Sequence, residues 1–227
     1  MSSKIYIVGM GPGTGEMMTP QADHALCGSD VIVGYPVYLK LLGGKYRKKE
    51  FLSTPMKQEV RRCEMCFEEA EKGKTEAHPG CELEVIPGIT AANSGAAALG
   101  APLNHDYCVI SLSDLMTPWE IIEKRLAAAA VGDFCMAIYN PSSHHRADYL
   151  KKACDILQKN GVEPERACGY VENIGRENTA CEVCTLAELR ERQVNMFTTV
   201  FIGNSRTKII GGKLVTPRGY VLPDPAV

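Results

Sequence analysis

What this chain most conspicuously lacks is charge of one sign. Twenty-five Lys and Arg stand against 27 Asp and Glu, leaving a formal charge of -2, and no block of like charge is long enough to form a polyelectrolyte arm. Binding to nucleic acid driven by counterion release needs concentrated basic residues, so no nucleic-acid partner is expected. Long apolar runs are missing too. No window approaches the roughly 18 uninterrupted apolar residues of a membrane span, so no membrane partner is expected either. MSSKIYIVGM has no basic region leading into a long apolar stretch. The expected location is the cytoplasm, with the ten cysteines reduced. A chain of 227 residues with 45% hydrophobic content can bury a core without disulfide staples. Tandem repeats and low-complexity segments are also absent.

What is present alternates between strand and helix patterns. KIYIV at 4–8 is a β-rich run followed by GMGPGTGE, and PQADHALC at 20–27 reads as a helix. A second buried-type strand follows at 31–33. Residues 56–73 form a charged amphipathic helix with Val60, Cys63, Phe67 and Ala70 on one face. LEVI at 83–86 is a strand ending in Pro87-Gly88, and 90–99 is a helix of small residues. After Gly100-Ala101-Pro102 a second series begins. It has strands at 107–112, 134–139, 167–171 and 198–202, and helices at 118–130, 146–160 and 186–192. The alternation implies a predominantly parallel α/β chain of two α/β domains, residues 1–106 and 107–227.

Three loops could carry chemistry. Gly9, Gly11, Gly13 and Gly15 invite comparison with the dinucleotide fingerprint, but the third glycine would fall at Thr14, and Pro12 removes an N–H that would otherwise face a pyrophosphate. Such a turn suits an uncharged or cationic ligand, or is simply a tight strand-to-helix connection. In IPGITAANSGAA, Pro-Gly followed by small residues leaves room for a flat group, and Thr90 supplies a hydroxyl for a ligand or a helix cap. YNPSSHHR, at 139–146, follows a strand at the end where open α/β sheets place ligands. Asn140, Arg146 and the serines there either bind or cap the next helix.

Two CxxC pairs, Cys63/Cys66 and Cys181/Cys184, would make a four-thiolate zinc site if the fold united them. The first pair lies within a helix and the second lacks a glycine-rich knuckle, so buried thiols and no bound metal are expected.

Taken in order, GMGPG, SDVIVGYPVY, IPGITAANSGAAALGAPLNHDYCVISLSDLMTPWE, YNPSS with Arg146, GYVENIGRENT and TTVFIGNS resemble the tetrapyrrole methyltransferases of cobalamin biosynthesis. Among these, the resemblance is to the group that methylates carbon 17 of precorrin-3B or cobalt-precorrin-3, and it covers nearly the whole chain. It implies two α/β domains with S-adenosylmethionine in the cleft between them, a homodimer, a tetrapyrrole substrate, and ring contraction accompanying methylation. By position it places Pro12, Thr90, Ala91, Asn140, Asn173 and Thr198 at the cofactor. Precorrins carry several carboxylates, which calls for cationic and hydroxyl donors; Arg146, Arg176, Ser113 and Thr117 are the candidates. Ring contraction needs proton movement, for which His105 and Asp106 are the candidates. Related readings are methylation of another precorrin carbon or of a diphthamide precursor.

One family element is missing. GKT at 73–75 passes directly to EAHPGCELEVIPG, where the resembling enzymes insert a strand, a Gly-Asp-Pro or similar loop, and a helix. The expectation is a break in the chain between Thr75 and Glu76, with a segment omitted there; a true deletion would damage the cofactor site.

Overall fold

The structure is a computed structural model that describes residues 3–72, 80–143 and 146–220. The junction between Thr75 and Glu76, where a break was expected, lies outside the described residues. The chain divides into two compact units, Met1–Thr90 and Ala91–Val227.

In the first unit the elements run β1 (Lys4–Val8), α1 (Pro20–Gly28), β2 (Val31–Gly34), α2 (Pro36–Leu39), β3 (Glu50–Ser53), α3 (Glu59–Glu71) and β4 (Glu82–Ile86). The strands form two separate parallel pairs, β1 with β4 and β2 with β3. Helix α1 starts cleanly because Thr19 accepts a hydrogen bond from Ala22 N at 3.1 Å and Pro20 occupies the first turn. Its Ala22 and Ala25 pack on Ile86, with Tyr6 and Val8 against them. The apolar stripe expected on α3 is only partly covered: Phe67 and Ala70 are half-buried, while Val60 and Cys63 are exposed.

The second unit begins with α4 (Ala91–Leu99) and β5 (Gly100–Ala101), then β6 (Tyr107–Ser111), α5 (Trp119–Val131), β7 (Cys135–Tyr139) and α6 (Tyr149–Lys159). It continues through β8 (Ala167–Glu172), β9 (Ala180–Thr185), α7 (Leu186–Arg190), β10 (Thr198–Ile202), β11 (Lys208–Ile210) and β12 (Lys213–Val215). The main sheet has the order β6-β7-β10-β8-β9. Only β6 and β7 run parallel; β10 is antiparallel to both β7 and β8, and β9 to β8. The expectation of a predominantly parallel chain therefore holds for the pairs of the first unit and fails here, where a short turn folds β9 back on β8.

Strand alternation sorts this sheet's side chains onto two faces. Met136, Ile138, Val200 and Ile202 join Ile122, Leu126, Leu150 and Leu157 of α5 and α6 in one core. Ala137 and Phe201 face the other way, onto Ala92, Ala96 and Leu99 of α4. Each fully buried Val, Leu, Ile, Met or Phe side chain here contributes roughly 1.5–3 kcal/mol of transfer free energy, and each alanine less. Helix α4 lies tight against the sheet because Gly95 leaves room for Phe201: an added Cβ would sit 2.7 Å from the ring. The packing of α4, together with the pairing of β5 with β12, puts residues 91–106 in the second unit, ahead of the 106/107 division read from the sequence.

Candidate active site

In the first unit, the loops after β1 and β4 touch at the carboxyl ends of their strands. Gly9 N donates to Ile86 O at 2.9 Å, and a Cβ on Gly88 would lie 2.3 Å from Gly9 O. Thr19 donates to Pro87 O at 3.3 Å, tying the start of α1 to the same corner. Gly11 adopts φ 78°, in the left-handed region, with Met17 O where a side chain would begin. Half-buried Pro12 and exposed Thr90 lie on these two loops. The structure therefore brings these two segments of the first unit together. The backbone crowding shows why the glycines are needed without any pyrophosphate.

In the second unit, the candidates gather along one end of the five-stranded sheet. Ser111 is paired with Tyr139 and Thr198 with Glu172, so the ends of β6, β7 and β8 and the start of β10 form one row. Asn140 and Asn173 follow β7 and β8 with φ of 53° and 52°, a region Asn tolerates better than most residues. Asn140 donates from Nδ2 to Ser111 Oγ at 2.9 Å, and Ser113 N donates to the same oxygen at 3.2 Å. Tyr139 OH accepts from Ala92 N at 2.9 Å, fixing the start of α4 beside this row. Thr198 is buried, with its hydroxyl engaged by the Asn195 turn.

Arg146 is held in the loop after β7, donating from Nε to Ser143 Oγ at 2.9 Å. Its Nη1 is buried with no hydrogen-bond partner and lies 3.6 Å from Asp114 Oδ1. Asp114 accepts from Tyr149 OH at 2.6 Å, and this bond raises the Tyr149 pKa above its ordinary value. Trp119 packs on the Tyr149 ring at 4.6 Å. Thr117 is half-buried on the same loop as Ser113 and Asp114. Arg176 lies in the turn after β8, its guanidinium 4.9 Å from the Phe197 ring centre and its Nε buried without a partner. Two guanidinium nitrogens removed from water at the same sheet end can receive carboxylates.

His105 and Asp106 are placed elsewhere. Asp106 O accepts from Cys135 N at the start of β7, so the pair sits at the opposite end of the sheet, the length of β6 away. His105 Nδ1 accepts from Asp106 N at 2.9 Å, and the Asp106 carboxylate is exposed. The structure therefore gives no support to their acid–base role. Asp114, Tyr149 and Ser111 join this end of the sheet without being among the residues expected from the sequence. The available signal was position, since SLSD directly follows a strand at its carboxyl end.

The thiols of the second CxxC do not converge. Three residues apart on a strand, Cys181 is exposed and Cys184 buried on the opposite face, and burial pushes the Cys184 pKa up to about 12. Among the described residues, no group of three or more His, Cys, Asp or Glu is arranged to hold a metal ion.

The family model for the tetrapyrrole (corrin/porphyrin) methylases matches residues 4–76 and 67–190. The chain belongs to this family. It is 39% identical over 97% of its length to the cobalt-factor III methyltransferase of Priestia megaterium, and covers 46% of that protein, about half its length. It is 36% identical over 96% of its length to a probable cobalt-factor III C(17)-methyltransferase of Salmonella typhimurium, covering 100% of it. The crystal structure of the methyltransferase CobJ superposes with a TM-score of 0.82 at 31% identity, covering 96% of this chain and 100% of that one.

Proposed function

We propose that this chain transfers a methyl group from S-adenosylmethionine to carbon 17 of cobalt-factor III or precorrin-3B, with ring contraction, in cobalamin biosynthesis. The observation that carries this reading is the match along the entire Salmonella relative, whose name specifies that carbon. The fit of the residues supports it. An adenosyl group is flat and carries no phosphate, which suits a turn crowded by backbone at Gly9 and Gly88 and deprived of an N–H at Pro12.

When bound, the sulfonium supplies an electrophilic methyl together with its leaving group, so the chain's own task is to orient the substrate and exclude water. Pro12, Thr90 and Ala91, with Asn140, Asn173 and Thr198, are the residues assigned to the cofactor. Arg146 and Arg176 receive substrate carboxylates, with Ser113 and Thr117 as hydroxyl donors. Asp114, which accepts from Tyr149 OH, lies 3.6 Å from the Arg146 guanidinium and helps keep it in place. His105 and Asp106 are left out of this machinery. The reading includes a cytoplasmic homodimer with no resident metal that binds neither membrane nor nucleic acid. The balanced charge bears on the nucleic-acid part of this reading and, among the described residues, the absence of any helix long and apolar enough to cross a membrane bears on the membrane part.

The test for the substrate site is the response of Arg146→Ala. Apparent tetrapyrrole affinity should fall while cofactor affinity holds; unchanged tetrapyrrole affinity withdraws Arg146 from the site.

A further inference from the structure

The loop that joins β6 to α5 is pinned at both ends and apolar at its tip. At its start Leu112 is fully buried, and its N–H donates to Tyr139 O at 2.9 Å, one step beyond the β6/β7 pairing. Ser113 N donates to Ser111 Oγ, and Asp114 accepts from Tyr149 OH. At its far end Pro118 O accepts from Ile121 N at 3.0 Å as α5 begins. Trp119 packs there on the Tyr149 ring and against the core between the sheet and α5 and α6. Between these anchors Leu115 is 63% exposed and Met116 is 94% exposed. Among the described residues no other large hydrophobic side chain is as exposed as Met116.

One exposed apolar side chain is ordinary on any surface. Here two adjoin, and their surroundings complement one kind of ligand. Asp114, next to Leu115 in the chain, lies 3.6 Å from the Arg146 guanidinium, whose Nη1 is buried without a hydrogen-bond partner. Two residues of extended chain span at most about 7 Å, so the Met116 backbone stays within that distance of Asp114. Half-buried Ser113 and Thr117 add hydroxyls on either side of the tip. Arg176 brings a second buried guanidinium nitrogen to the same end of the sheet. Cations with unfilled bonding capacity beside a small apolar surface suit a ligand with a broad apolar face and carboxylates at its rim.

We propose that Leu115 and Met116 form the apolar wall of the tetrapyrrole site, lying against a face of the macrocycle while Arg146 binds a carboxylate at its rim. The inference rests on the methyltransferase reading. Leu115 gives the wall a fixed, branched shape, whereas the unbranched thioether of Met116 conforms to an uneven ring surface. The tip thus recognises the body of the macrocycle, and the arginines its charged edge.

The test uses the full chain and cobalt-factor III, with binding followed by quenching of Trp119, the single tryptophan, which directly follows this loop. Hydrogen peroxide then serves as a footprint. Its oxygen passes to the Met116 thioether, leaving water and a sulfoxide that peptide mass spectrometry reads. Saturating cobalt-factor III should slow this oxidation about tenfold or more, because a covered sulfur is no longer accessible. In the double variant Leu115→Ser/Met116→Ser, the Kd for cobalt-factor III should rise about tenfold or more while S-adenosylmethionine affinity holds. Met116→Leu should keep most of the parent's affinity. If the parent binds cobalt-factor III but Met116 in the complex oxidises at its free rate, or the double variant binds as the parent does, the proposal is overturned and the methyltransferase reading stands. An equal loss of S-adenosylmethionine affinity also overturns it, as does a double variant that turns a dimer into a monomer with tetrapyrrole affinity unchanged. A parent chain that binds no tetrapyrrole removes the methyltransferase reading and the wall together.

Discussion

The contact between the loops after β1 and β4 gives the most direct structural prediction. In Gly88→Ala the added methyl would lie 2.3 Å from Gly9 O, 2.5 Å from Gly9 C and 2.8 Å from Gly9 Cα. All three are backbone atoms, so no side chain can swing away and the loops must separate by about an ångström. Overpacking of this kind costs about 1–3 kcal/mol, and the rigidity of both partners places this case near the upper end. At roughly 4–8 °C per kcal/mol for a unit of this size, the first unit should melt roughly 10–20 °C lower. Gly28→Ala is the control: it ends α1, meets nothing within 4 Å, and should stay within about 0.5 kcal/mol of the parent. Trp119, the single tryptophan, belongs to the second unit, so its fluorescence does not follow this transition. Hydrogen exchange resolved by peptide does. If Gly88→Ala destabilises β1 and β4 no more than Gly28→Ala, the loop contact is not as described, and the case for Pro12 and Thr90 as neighbours falls with it.

Arg146→Ala should raise the KM for the tetrapyrrole about 10- to 100-fold with a smaller change in kcat, the scale of one lost charge-assisted hydrogen bond, and Arg146→Lys should restore part of it. Burial holds the thiols of Cys154 and Cys184 up to about 12 and that of Cys168 well above its usual value. A thiol reagent at pH 8 should therefore label exposed Cys27, Cys63 and Cys181 quickly, and buried Cys154, Cys168 and Cys184 only after denaturation. Fast labelling of the native buried set would contradict the packing. The Tyr170 pKa is pushed up to about 12, mainly by its hydrogen bond to Glu182 and also by burial. Because the folded value exceeds the unfolded one, this bond's contribution to stability is fully present below about pH 10 and is lost as pH rises through about 12. Alkaline difference spectroscopy should show a late-titrating phenol that disappears in Tyr170→Phe. Nicotinamide dinucleotides should bind far more weakly than S-adenosylmethionine, because Thr14 stands where the fingerprint needs its third glycine; a titration showing equal affinity would reverse the cofactor assignment.

Much of the fold can be read from the sequence where apolar runs are long. KIYIV and TTVFI are strands over the residues expected; the helix at 20–28 runs one residue longer than expected, and that at 119–131 is shifted by one residue at both ends. Strands β3 and β9 escaped because EFLS and ACEVCT mix exposed and polar residues with few β-branched ones, and the structure shows β9 half-exposed. The antiparallel turn of β9 onto β8 depends on long-range pairing, which local periodicity does not encode. At the site, Asn140 and Arg146 were legible from their place after a strand. The left-handed backbone at Asn140 and Asn173, and the Arg146, Asp114 and Tyr149 contacts, arise only when segments distant in sequence meet. His105 and Asp106 attracted attention as adjacent titratable residues near an expected domain junction, but β6 carries them to the far end of the sheet.

The measurement that bears most directly on the central claim is incubation of the chain with methyl-labelled S-adenosylmethionine and either cobalt-factor III or precorrin-3B, followed by mass analysis and location of the label. The account predicts one added methyl group on carbon 17. No labelled product on either substrate, or label at a different carbon, would contradict it.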